Sequence, residues 1–121
     1  MERFIPQTPL LPHCDLVVTH GGFNTVTGAL NAGLPLVLLP LGSDQPYNAA
    51  CCAHLGLGVV VAPEEFTPEA IRAAVREVLD NPTYQQNAER VRDEMAALPG
   101  PEQAVHLLER LAEERRPIPA A

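Results

Sequence analysis

A chain of 121 residues has room for one domain with one modest core, since folding at this size buries roughly two thirds of the unfolded surface. Its formal net charge of −7 argues against a nucleic-acid or anionic-membrane surface, which needs clustered cations, and the 8 cations here are scattered along the chain. Any anion this chain binds is therefore expected to be met locally, by backbone N–H groups and helix dipoles.

In chain order, the first clear element is Asp15-Leu16-Val17-Val18-Thr19, a nearly continuous apolar run that predicts a parallel strand covered on both faces. His20-Gly21-Gly22 follows. From Asn24 to Ala32 the apolar positions Val26, Ala29 and Leu30 keep helical spacing, and Gly33-Leu34-Pro35 predicts the stop. Leu36 to Pro40 repeats the buried-strand pattern, and the loop Leu41 to Gln45 leads to a helix over 46–55 closed by Gly56. Gly58 to Ala62 predicts a third strand. Two strand–helix–strand crossovers with such short connections imply a parallel, right-handed α/β arrangement.

The remainder reads as helical. Thr67 and Pro68 look like the N-cap and first position of a helix with apolar residues Ile71, Ala74, Val75, Val78 and Leu79. Asn81-Pro82 interrupts it, a second segment carries Tyr84, Ala88, Val91 and Met95, and beyond Pro99-Gly100-Pro101 a last helix carries Ala104, Leu107, Leu108 and Leu111. The expected division is an α/β part over about 1–63 and a helical part over about 67–115. All 8 cations are arginine, which reads as the codon bias of a GC-rich bacterial genome. Cys14, Cys51 and Cys52 form neither a CxxC site nor a disulfide framework, so a reduced cytoplasmic protein is expected. The longest apolar run is too short to span a bilayer, and no signal peptide is recognisable.

Ligands of open parallel sheets sit beyond the carboxyl ends of the strands. His20-Gly21-Gly22 with Asn24-Thr25, then Asp44-Gln45, then Pro63-Glu64 all fall there. The glycines let backbone approach a ligand, and N–H groups at the start of the following helix suit phosphate oxygens. His20 adds a donor, and Asp44 and Gln45 offer acceptors and an amide for neighbouring hydroxyls. No metal-ligand spacing links His13, His54 and His106, so no metal is expected.

FIPQ from Phe4, LLPHCDLVVTHGGFNTV, GLPLVLLPLGSDQPYNA and LGLGVVV together resemble the donor-binding signature of family 1 glycosyltransferases, NDP-sugar-dependent enzymes that glycosylate natural products, steroids and flavonoids. The resemblance implies a GT-B architecture in which this chain is the second half of a doubly wound, Rossmann-like donor domain: three parallel strands with flanking helices, then C-terminal helices. It implies metal-independent, inverting transfer from a UDP- or dTDP-sugar used as substrate, with no cofactor. Carried over by position, Phe4 stacks on the base, Ile5 bonds its edge, and Gln7 lies near the ribose. His20, Gly21, Gly22, Asn24 and Thr25 hold the diphosphate, and Asp44 and Gln45 hold the sugar. Many members carry glutamate where this chain has Gly28.

The family's catalytic base belongs to an N-terminal acceptor domain, so no catalytic residue is assigned here and the isolated chain is expected to be inactive. That domain is the partner expected in cis or in trans, and the edge Leu16 to Val18 is expected to pair, a second copy of the chain being one candidate. The alternative reading is a non-catalytic or split-enzyme module that binds a partner through this edge or the last helix.

Overall fold

The computed structural model describes residues 2–120. Ahead of the sheet, Gln7–Leu10 forms one helical turn (α1) that runs into a 3₁₀ turn at Leu11–His13. Strands β1 (Val17–Thr19), β2 (Leu36–Leu38) and β3 (Gly58–Val60) alternate with helices α2 (Phe23–Asn31) and α3 (Gln45–His54). A 3₁₀ turn at Pro63–Glu65 leads to α4 (Pro68–Asp80), α5 (Pro82–Ala96) and α6 (Pro101–Glu114).

The sheet is wholly parallel, in the order β1-β2-β3, with Val17 beside Leu36 and Leu36 beside Gly58. This is the α/β arrangement expected from the sequence, with shorter strands: three residues each instead of five. Pro35 and Pro40 frame β2, and a proline supplies no N–H to a ladder. Single hydrogen bonds still carry the pairing past the strand ends, from Leu39 N–H to the Thr19 carbonyl at 2.8 Å and from Val61 N–H to the Leu38 carbonyl at 2.9 Å.

β2 is the centre of the core, and its three residues have no exposed surface. Alternation along the strand sends Leu36 and Leu38 into a cluster with Val26, Ala29, Leu30, Ala49, Cys52 and Ala88, from α2, α3 and α5. Val37 points the other way, into Val61, Ala74 and Val78 beneath α4. Helices thus cover both faces, which is why the strands read as continuous apolar runs. At Gly58 a Cβ would collide with the carbonyl oxygen of Leu36, so only glycine lets β3 approach β2 there.

The helical half begins with two capped helices. Thr67 Oγ1 accepts from the Ala70 N–H at 3.1 Å with Pro68 at the first helical position, and Asn81 Oδ1 accepts from the Thr83 N–H at 3.1 Å with Pro82 behind it. Helix α5 then ties off the two helices of the sheet. Gln85 Nε2 donates to the Gly33 carbonyl at 2.9 Å and Asn87 Nδ2 to the Gly56 carbonyl at 3.0 Å. Gly33 and Gly56, at φ +70° and +66°, are the left-handed residues that end α2 and α3. Helix α6 has no buried residue, and Val105, Leu107, Leu108 and Leu111 are exposed along it. No helix among the described residues is long and apolar enough to cross a membrane.

Candidate functional site

The carboxyl edge of the sheet holds the residues singled out from the sequence. β1 ends at Thr19, whose buried hydroxyl accepts from the Gly21 N–H at 3.2 Å. Gly21 has φ +94°, a conformation that side chains resist, and lies against Leu38 and the backbone of Gln45. Gly22 returns to φ −60° and ψ 140° as the N-cap of α2, and no side chain caps that helix. The first-turn amides of α2 have no intrahelical acceptor, so the positive end of its dipole is presented at the glycine turn. The exposed His20 ring leans over it, with Nε2 3.0 Å from where a Cβ on Gly22 would lie. Asn24 is exposed and Thr25 half-buried on the first turn.

The second group stands on the loop between β2 and α3. Ser43 takes φ +59°, a left-handed conformation that costs a non-glycine residue about 1–2 kcal/mol. Gln45 holds this turn: its Oε1 accepts from the N–H groups of Leu41 and Gly42 at 2.9 and 3.1 Å. With its oxygen bonded twice, the Gln45 side chain keeps its NH₂ as a donor. Asp44 occupies the N-cap position of α3 without capping it, and its Oδ2 accepts from Asn48 Nδ2 at 3.1 Å. Asn48 Nδ2 also donates to the Gly21 carbonyl at 3.0 Å, which ties this loop to the glycine turn. Sequence reading assigned Asn48 no role of its own, although it stands in the DQPYNA stretch that carries the resemblance, at i, i+4 from Asp44.

An open cleft of about 560 Å³ lies at the ends of β1 and β2, lined by Val18, Thr19, His20, Thr25, Leu39, Leu41 and Phe66. No arginine lines it, so an anion there would rely on the α2 terminus and the His20 ring. Asp44 and Gln45 are not among its lining residues. A second cleft of about 510 Å³, between β3 and α4, is lined by Glu65 and Glu77 and is electrostatically wrong for an anion.

Phe4 is 81% exposed and Ile5 is exposed beside it, so neither belongs to the core. Gln7 reaches α2: its Nε2 lies 3.3 Å from where a Cβ on Gly28 would stand. Cys52 is buried, and burial, with Cys51 adjacent, pushes its thiol up to about 11, which keeps it protonated and inert at neutral pH. Among the described residues no group of three or more His, Cys, Asp or Glu is placed to hold a metal ion.

The family model described as "Erythromycin biosynthesis protein CIII-like, C-terminal domain" matches residues 1–111. The 3-alpha-mycarosylerythronolide B desosaminyl transferase of Saccharopolyspora erythraea is 39% identical over 113 residues, covering 93% of this chain and 27% of that protein. The 4'-demethylrebeccamycin synthase of Lentzea aerocolonigenes is 42% identical over 111 residues, covering 92% and 26%. Among solved structures, glycosyltransferase VinC in complex with DTDP superimposes with a TM-score of 0.86 at 34% identity, covering 92% of this chain and 28% of that one. The chain spans about a quarter of the length of these relatives.

Proposed function

Because the chain belongs to the erythromycin biosynthesis protein CIII-like C-terminal domain family, a family of bacterial natural-product glycosyltransferases with the GT-B fold, we propose that it is the nucleotide-sugar-binding part of an inverting transferase. That enzyme moves a sugar from an NDP-sugar to a hydroxyl of a small-molecule acceptor. The observation that carries the reading is the uncapped α2 terminus, set behind a left-handed glycine at the carboxyl edge of the sheet with the His20 ring over it.

Roles follow from which groups are free. The diphosphate sits on the Gly22 N–H and the first-turn amides of α2 and on His20, with the Asn24 and Thr25 side chains at its flank. Gly21 contributes its conformation: its N–H is taken by Thr19 and its carbonyl by Asn48. Asp44 accepts from one sugar hydroxyl and the Gln45 NH₂ donates to another. The exposed Phe4 ring stacks on uracil or thymine, Ile5 meets the base edge and Gln7 lies toward the ribose. The donor is a substrate, and no cofactor or metal is assigned.

The chemical step needs a base on the acceptor side, which these residues do not supply. That base takes the acceptor proton, the acceptor oxygen bonds to the anomeric carbon, and the bond from that carbon to the diphosphate oxygen breaks. The leaving nucleoside diphosphate gains negative charge as it departs. Dipolar N–H groups and an imidazole already aimed at it stabilise that charge without reorganising.

The partner reading is an acceptor domain in cis or in trans, and for the open edge of β1 a second copy of the chain. β1 is an edge strand of the three-stranded sheet, and its outer backbone N–H and C=O groups are what such pairing would bond. A chain that sediments as a monomer at micromolar concentration would overturn the dimer.

Calorimetric titration with UDP and dTDP, and with their sugar conjugates, tests the site. His20→Ala is expected to weaken both diphosphates about tenfold, the weight of one charge-assisted hydrogen bond. Asp44→Ala with Gln45→Ala should cost the conjugates much more affinity than the diphosphates and remove the conjugates' extra affinity. A folded chain that binds none of these at millimolar concentration would sink the reading.

A further inference from the structure

We propose that Asn48 is a positioning residue that locks the glycine turn and the Asp44 carboxylate into one fixed arrangement, so that diphosphate and sugar are held in a single relative geometry; this rests on the donor-site reading above. Asn48 lies one turn into α3 and faces two acceptors that belong to different loops, the Gly21 carbonyl 27 residues earlier and Asp44 Oδ2. An amide has two N–H hydrogens, and here each has an acceptor. The opposite rotamer would set the amide oxygen against a carbonyl and a carboxylate, three acceptors together, so the chemistry fixes which way the side chain points.

Both bonds act on groups that the donor would use. The peptide between Gly21 and Gly22 is planar with its C=O and N–H on opposite sides. Anchoring the Gly21 carbonyl on α3 therefore aims the Gly22 N–H away from α3. Gly21 is held from its other side by Thr19 Oγ1 on its N–H, so both of its polar groups are fixed. At the second loop, the bond to Oδ2 draws the Asp44 carboxylate away from capping its own helix and leaves Oδ1 for a hydroxyl. The backbone N–H of Asn48 donates to the Asp44 carbonyl at 3.0 Å, so the Asp44–Asn48 turn is bonded through main chain and side chain alike.

Asn48→Asp is the sharp variant, because it keeps the volume and replaces both donors with an acceptor; Asn48→Ala removes the group outright. Two readouts are needed. Without ligand, ¹⁵N relaxation should show the Gly21–Gly22 and Asp44–Gln45 amides gaining mobility together in either variant, while β2 stays as it was. With dTDP and a dTDP-sugar, both variants should lose about tenfold in dTDP affinity and a further several-fold in the preference for the conjugate, the weight of one or two hydrogen bonds. In an Asp44→Ala background Asn48→Ala should still weaken dTDP but no longer change that preference.

A residue that only stabilised α3 would lower the melting temperature and leave the binding constants of the folded chain alone, and that result overturns the proposal. Equal affinities in Asn48→Asp and the parent, where the parent binds, also overturn it while leaving the donor site standing. A parent chain that binds neither nucleotide overturns the donor site and the functional role of Asn48 with it.

Discussion

Two sorts of helix start occur in this molecule. Helices α4 and α5 begin with a side-chain cap, Thr67 and Asn81, followed by proline at the first position, and both lie in the half that carries no candidate site. Helices α2 and α3 begin at the carboxyl edge of the sheet, and there Gly22 has no side chain to offer while Asp44 turns its carboxylate to Asn48. Helices α1 and α6 also lack a side-chain cap, but neither has a buried residue. The difference teaches where stability has been given up. A cap contributes about 1 kcal/mol, and it is missing where the orphan amides face the cleft side of the sheet.

The sharpest way to break this comparison is to cap α2. Gly22 has φ −60°, so a side chain fits the backbone, and the atom it approaches, His20 Nε2 at 3.0 Å, is the end of a side chain that can swing aside. Gly22→Asp should stabilise the chain by a few tenths of a kcal/mol and weaken dTDP binding by at least about tenfold, because a carboxylate then occupies the amides and repels the diphosphate. Calorimetry beside thermal unfolding reads both. Unchanged affinity would mean that the α2 terminus is open for some other reason.

The converse change is smaller. Thr67→Ala should cost about 1 kcal/mol, seen as a fall of a few degrees in melting temperature, with nucleotide affinity intact. A loss of affinity comparable to that of Gly22→Asp would show that the helical half shapes the site, and the division between the two kinds of helix start would fail.

The sequence already carried much of this division. Thr67-Pro68 and the glycines after β1 are local signals, and local signals survive folding: the order of strands and helices came out as expected, and so did the cap at Thr67. Strand ends did not, because pairing length depends on where prolines fall in the partner strand. The single turn Gln7–Leu10 has no counterpart in the sequence reading, and it is short and flanked by Pro6 and Pro12. In the site, the positions of His20, Gly22, Asp44 and Gln45 were legible from their place after strands. Which atoms of them remain free was not. That Gln45 spends its oxygen on Leu41 and Gly42 depends on the left-handed turn at Ser43, and that Asn48 reaches back to Gly21 depends on how α3 meets a turn 27 residues earlier, which no local residue pattern records.

The smallest expected effect lies at the far end of the chain and tests whether α6 is as independent of the site as its exposure says. Arg116 and Arg110 both bond the Glu114 carboxylate, at 3.1 Å each, and hold it below the usual carboxylate range. A carboxylate at a helix C-terminus opposes the dipole, so the two guanidiniums are what make it tolerable there. The sign follows from the direction of the shift: the clamp contributes above the ordinary carboxylate value and is lost as pH falls through the lowered one. NMR titration should find the Glu114 carboxyl protonating below the ordinary value, with the last turn of α6 fraying as it does so. Since α6 buries nothing, the Gly21–Gly22 amides and the nucleotide affinity should not respond to that protonation. A coupled response would mean that α6 is fastened to the sheet, and the helix would have to be counted with the half that holds the site.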